Sequence, residues 1–192
     1  LYQDLDESVS LLNLKLAKDP DNPALNYGMG LLYIRKHRRK KAVEHLEKAL
    51  SQRVFDPMIL LDLGRVHIID GRFGLAMDVL SDVLKDPVLG DQARYSTAVA
   101  QLESGNLPAA QENLTRVLEK LPETFPRAYY YMAKLKSRQG RDTLSHYFLC
   151  IYYSEIKDGK NARRHLKKAL ETLEDPKLKK EAQKRLEKAP KK

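Results

Sequence analysis

The sequence predicts an all-α solenoid of stacked helix hairpins, with about 11 helices. Two observations carry this: a 34-residue period in small and large apolar positions, and turn residues spaced to match it. Gly71 and Gly105 stand 34 residues apart, in Asp70-Gly71 and Ser104-Gly105, and Asp158-Gly159 forms a third turn of this kind. In the same register fall Gly30, Gly64 and Ala98, where two helices must approach closely. Twelve residues on come Ala42, Ala76 and Ala110, then Leu46, Leu80 and Leu114, then Ala49, Val83 and Val117. One hairpin cannot bury its apolar face alone, so neighbours stack into an array.

Helix starts are marked chemically. Asn22-Pro23, Asp56-Pro57 and Asp175-Pro176 each place a capping side chain before a proline at the first helical position. The expected helices are 2–18, 23–36, 39–52, 57–69, 73–85, 91–104, 107–120, 126–139, 142–157, 160–173 and 176–188. These group into a half repeat at 1–22, full repeats at 23–56, 57–90 and 91–125, an irregular three-helix region at 126–175, and a capping helix with its tail at 176–192. Leu178, Ala182 and Leu186 give that last helix an apolar stripe, and 189–192 is read as tail. The period breaks near Gly140. Either helix 142–157 closes one hairpin and opens the next, or the superhelical twist changes locally; spacing alone leaves both open.

Composition narrows the function classes. Hydrophobic residues make up 42% and charged residues 32%, enough for a core with a solvated surface. The single cysteine, Cys150, supports neither an internal disulfide nor a cysteine-based zinc site, and its small-residue position marks it as buried and inert. The net charge of +9 is uneven. Residues 35–41 read RKHRRKK, and residues 157–192 carry 14 basic against 6 acidic side chains, so the remainder is slightly acidic. The chain opens Leu1-Tyr2-Gln3-Asp4, without a basic or apolar leader, and is expected to be a piece of a longer protein.

No catalytic motif emerges. None of the five histidines forms an H-E-x-x-H pair, and Gly28-Met29-Gly30 lies inside a helix rather than in a phosphate loop. His67 occupies an inter-helix position and is expected in the core. No cofactor or metal is expected in this chain.

With this pattern the chain resembles the tetratricopeptide-repeat (TPR) family over nearly its whole length. The resemblance implies a right-handed superhelical solenoid that binds polypeptides in a concave groove lined by the first helix of each hairpin. Its groove positions fall on Tyr27, Leu61, Tyr95, Tyr130 and Tyr147, and one turn on at Leu31, Arg65, Val99, Lys134 and Ile151. Arg127 and Arg138 add positive charge. Tyrosine suits a surface that is wet when empty and adhesive when filled. The other reading is that the tyrosines only pack between hairpins. Repeats that clamp chaperone C-termini carry Lys and Asn at groove positions; Tyr27, Leu31, Asp62 and Ser96 stand here instead, so that clamp is absent.

A narrower resemblance covers Ser145 to Leu186. His146-Tyr147, Tyr152-Tyr153, the Asp158-Gly159 turn, His165-Leu166 and Ala169-Leu170 are similar to the C-terminal repeats of BepA-type bacterial zinc metallopeptidases. It implies a periplasmic or membrane-associated parent, with a protease domain in cis holding any zinc, and outer-membrane assembly proteins as partners. The basic patch of Arg35, Lys36, Arg38, Arg39, Lys40 and Lys41 is the alternative site, for nucleic acid or anionic membrane. A solvated turn is its favoured reading, and protein ranks above nucleic acid as the partner.

Overall fold

The computed structural model describes residues 2–52 and 55–188, without the side chains of 2, 3 and 185–188. Among the described residues there are eleven α-helices and no strand. They are α1 (Tyr2–Leu16), α2 (Pro23–Arg35), α3 (Arg39–Ser51), α4 (Pro57–Ile69), α5 (Phe73–Ser81), α6 (Gly90–Glu103), α7 (Leu107–Lys120), α8 (Pro126–Arg138), α9 (Asp142–Glu155), α10 (Gly159–Thr172) and α11 (Pro176–Lys188). The side chain of Leu186 and the tail 189–192 lie outside the described residues. The chain forms two compact units, residues 1–100 and 101–192, divided within α6.

Capping chemistry sets the helix starts. The Asn22 Oδ1 accepts from the Leu25 N–H at 3.1 Å, and the Asp56 Oδ1 from Met58 and Ile59 at 3.0 and 3.3 Å. The Asp175 Oδ1 does the same for Lys177 and Leu178 at 2.8 and 3.2 Å. Each carboxylate or amide satisfies amides that the first turn leaves without partners. Asn106 and Asp158 cap α7 and α10 likewise.

Two expectations need correction. Helix α5 stops at Ser81 rather than near residue 85. The chain tightens there through Val83 N–H to Leu80 C=O and Asp86 N–H to Val83 C=O, bonds of the 3₁₀ type. Gly90 then lies so close to the Leu84 carbonyl that a Cβ would meet it at 2.8 Å. The second correction concerns Gly159, which begins α10 and is not the turn residue. The left-handed position is Lys157, with φ of 62°. His37 (56°), Gly71 (75°), Gly105 (91°) and Gly140 (72°) hold the matching positions in the other tight turns.

In the first unit α2 packs against α1 and α3, and α4 against α3 and α5. The contact is tight because the leading helix is bare where a leucine arrives. A Cβ on Gly30 would fall 2.8 Å from the Leu46 side chain, and one on Gly64 would fall 2.6 Å from that of Leu80. Around these crossings Leu46, Ala49, Ile59, Leu63 and Val66 form one buried cluster, and Leu60, Leu61, Leu80, Val83 and Ala93 another.

In the second unit α9 packs against both α8 and α10, and α11 packs against α9 and α10. The core there joins Tyr147, Cys150 and Ile151 to Leu166, Ala169, Leu173 and Ala182. Cys150 is 1% exposed, in the small-residue position opposite Leu166.

A contact pair recurs in the two units. Tyr33 stacks on His45 at 5.5 Å between ring centres, and Tyr153 stacks on His165 at 5.4 Å. The His45 Nδ1 meets the Asn26 Oδ1 at 2.9 Å, and the His165 Nδ1 meets the His146 Nδ1 at 3.1 Å. In both cases the partners lie 19 residues apart.

Two substitutions test this packing. Gly64→Ala should destabilise the chain by about 1–3 kcal/mol, because the added methyl overpacks against Leu80. Lys157→Gly should stabilise it by about 1 kcal/mol by relieving a left-handed backbone at a side-chain-bearing residue. Urea melts followed by circular dichroism measure both; equal midpoints for Gly64→Ala and the parent chain would contradict the first.

Candidate functional site

In the first unit the leading helices α2, α4 and α6 are joined by a polar network. The Tyr27 hydroxyl donates to the Asp62 Oδ2 at 2.8 Å. Arg65 donates to the Asp62 Oδ1 at 3.2 Å and to the Gln92 Oε1 at 2.9 Å. Burial and then the hydrogen bond to the Asp62 carboxylate hold the Tyr27 phenol far above its ordinary pKa, so it stays a donor. Tyr27, Leu31 and Tyr95 are half-buried and Arg65 is exposed. Leu61 and Val99 are core residues, 2% and 6% exposed.

In the second unit the exposed face of α8 carries Arg127, Tyr130, Lys134 and Arg138. Their spacing of three and four residues places them along one face of a helix. Tyr130 is 42% exposed. The Glu103 carboxylate accepts from the Lys134 Nζ at 2.5 Å and from the Arg138 Nη2 at 3.0 Å. Arg138 also donates to the Leu102 carbonyl. Burial works against the Glu103 charge, but these two cations outweigh it and hold the carboxyl below its usual range. Arg127 makes no ion pair or hydrogen bond among the described residues.

Next to Arg127 lies an open polar cavity of about 190 Å³, lined by Arg127, Tyr130, Tyr131 and Tyr152. The Tyr130 ring meets Tyr131 edge-on at 5.5 Å and Tyr152 at 5.5 Å with a 56° tilt. Burial raises the Tyr131 phenol, reinforced by the Glu103 charge and opposed by Arg127. Neither Tyr131 nor Tyr152 stands at a family groove position. Tyr131 follows one that does, and Tyr152 arrives because α9 folds back on α8. The adjacent pairs Tyr130-Tyr131 and Tyr152-Tyr153 were the visible signal.

The groove positions on α9 are different. Tyr147 is 4% exposed and Ile151 is 3% exposed. With α8, α10 and α11 all packed on α9, these side chains belong to the core, and the Tyr147 ring contacts Phe148 at 5.4 Å. The expected groove row therefore loses Leu61, Val99, Tyr147 and Ile151 as surface contacts: all four are buried, Leu61 in the cluster around Leu80, and Tyr147 and Ile151 in the core around α9.

The basic patch is spread over the end of α2, the turn after it and the start of α3. Lys36 pairs with Asp6, Arg39 lies 3.8 Å from Asp70, and the Lys41 ammonium sits 5.4 Å over the Tyr33 ring. Arg35, Arg38 and Lys40 are exposed. Half of the patch thus has a local partner.

Among the described residues no three His, Cys, Asp or Glu side chains gather to hold a metal ion. No helix among them is long and apolar enough to cross a membrane. His67 is buried in α4, 4% exposed, and its Nδ1 has no partner among the described residues.

No family model matches the chain. No curated protein matches it. Solved structures do, and they resemble it across most of both chains. PilW, a widely conserved type IV pilus biogenesis factor, is 20% identical, with 93% of this chain and 90% of that one covered, at a TM-score of 0.72. MamA from Desulfovibrio magneticus RS-1 is 18% identical over 80% and 86%, at 0.71. YrrB, a TPR protein with an unusual peptide-binding site, is 20% identical over 86% and 85%, at 0.68. The fold of this chain is the all-α TPR solenoid.

The histidines of the α9–α10 hairpin define a pH test. Burial, then the Lys168 charge, lowers the pKa of His146, while Asp142 and Glu171 oppose it. Burial, then His146, then Arg164 and Lys168, lowers that of His165. Unfolding restores the ordinary value near 6.5, so the unfolded chain binds more protons once pH falls below about 6.5. Stability is full above that value and declines as pH drops through the folded pKa values. The melting temperature should therefore fall between about pH 7 and pH 5. His165→Gln should remove part of that slope, leaving the share of His45 and His67, whose pKa values burial also lowers. An unchanged slope in thermal melts of the variant would count against the assignment.

Proposed function

We propose that this chain is a protein-interaction module that holds a polypeptide against its leading helices and has no catalytic centre of its own. The carrying observation is the α8 face, where Arg127, Tyr130, Lys134 and Arg138 stand in a row beside an open cavity. Such a mixture of aromatic body, hydroxyl tip and guanidinium is the composition of adhesive protein surfaces. The fold supports the reading, since YrrB, which shares it, is described as having a peptide-binding site.

The finer proposal is that the module recruits substrates for, or regulates, a bacterial zinc metallopeptidase carried in the same polypeptide, in the periplasm or at a membrane. Its support is the resemblance of Ser145 to Leu186 to BepA-type repeats. Coding sequence upstream of Leu1 containing an H-E-x-x-H helix and a signal peptide would support it; an upstream region lacking that helix would remove it. Zinc and outer-membrane assembly partners belong to this proposal alone.

The binding reading is tested with the double variant Tyr95→Ala, Tyr130→Ala. In capture from a native extract, its bound proteins should fall by about tenfold or more, as expected when aromatic anchors are truncated. Its thermal melt should stay within a few degrees of the parent chain. Equal capture would make these tyrosines structural. Loss of capture on charge reversal at Arg38 and Lys40 instead, with steep salt dependence, would move the function to the basic patch.

A further inference from the structure

The cavity beside α8 has a more specific chemistry than general adhesion. Three of its four lining side chains bring hydrogen-bond donors with no partner among the described residues: the Arg127 guanidinium and the hydroxyls of Tyr130 and Tyr152. Glu103, whose charge acts on Tyr131, is already held by Lys134 and Arg138. Lys134 and Arg138 have a carboxylate; Arg127 has none.

We propose that this cavity is a carboxylate site, which reads an acidic side chain or a free C-terminus on the bound polypeptide. The proposal rests on the peptide-binding reading above and names the chemistry of one contact within it. The Arg127 guanidinium offers a planar fork that matches a carboxylate in two parallel hydrogen bonds. The Tyr130 hydroxyl on α8 and the Tyr152 hydroxyl on α9 add further donors. Their rings, 5.5 Å apart, line the cavity together with the guanidinium.

Size and charge argue against the other ligands. A volume of about 190 Å³ suits one side chain, and lies below the usual range for cofactors. An aromatic cage for a cation would not include an arginine. A phosphate dianion would call for more than one open cation, or for a loop of backbone N–H groups, and the lining offers neither. The site is also distinct from the chaperone-type clamp positions, which here hold Tyr27, Leu31, Asp62 and Ser96.

The test is a titration of the isotopically labelled full chain, followed by backbone amide shifts. The probes are N-acetylglutamate α-amide, with only a side-chain carboxylate; N-acetylalanine, with only a terminal one; N-acetylglutamine α-amide as the neutral control; and inorganic phosphate. At least one carboxylate should shift the amides of residues 127–131 and 152 saturably, and the neutral control should not. The stronger of the two carboxylates identifies the source. Arg127→Gln should weaken binding about tenfold, and Tyr152→Phe, which keeps the ring, a few-fold. Thermal melts of both variants should match the parent chain.

Shifts centred on residues 35–41, equal affinity in Arg127→Gln, or tighter binding of phosphate at the same amides would each overturn the proposal. Its failure is separable from failure of the wider reading. If captured proteins depend on Tyr95 and Tyr130 but not on Arg127, the module stands and the carboxylate site falls. If carboxylates bind at Arg127 while capture is indifferent to the tyrosines, the reverse holds.

Discussion

The arrangement depends on one steric constraint: a helix must be bare where a leucine from its partner arrives. Gly30 faces Leu46 and Gly64 faces Leu80 with less room than a methyl needs. Interiors packed at this density do not yield to an added carbon without moving something else. Close approach in turn fixes which face of each leading helix is sealed and which is left available. The polar row Tyr27, Asp62 and Arg65 lies on the two helices so sealed, α2 and α4.

The two units treat their leading faces differently. In the first, the charges are closed upon one another: Asp62 answers Arg65, and Tyr27 is committed to Asp62. Few donors remain for a visitor, and what the face offers is shape and half-buried apolar surface. In the second, Glu103 absorbs two cations and leaves Arg127 over, beside the hydroxyls of Tyr130 and Tyr152.

Much of the fold was legible because its determinants are local. Asn22-Pro23, Asp56-Pro57 and Asp175-Pro176 place the starts of α2, α4 and α11 through bonds made within three residues. The end of α5 was missed: the chain changes there to 3₁₀-type bonds at Val83 and Asp86, ahead of the Asp86-Pro87 turn, whose carboxylate accepts from Val88 and Leu89. Buried Lys136 was equally hidden. Its ammonium is satisfied by the Gln111 and Gln139 side chains at 2.8 and 3.4 Å, and Gln111 is 25 residues away in sequence. The candidate site divides the same way. Tyr130 and Lys134 came from the family's groove positions and Arg127 and Arg138 from their charge; that the four share a face follows from their spacing on α8. Tyr152 does not, because it is supplied by the next helix, and Tyr147 and Ile151 were misjudged because three helices crowd α9.

The stacked pairs Tyr33–His45 and Tyr153–His165 are offset from one another by 120 residues, which is no whole multiple of 34. A feature inherited with the repeat would keep the period; this one keeps only the internal spacing of its own hairpin. The hairpin, rather than the 34-residue period, is therefore the unit that carries this contact. One helix inserted ahead of the α9–α10 hairpin would shift the phase of everything after it, yet leave each aromatic–imidazole pair intact.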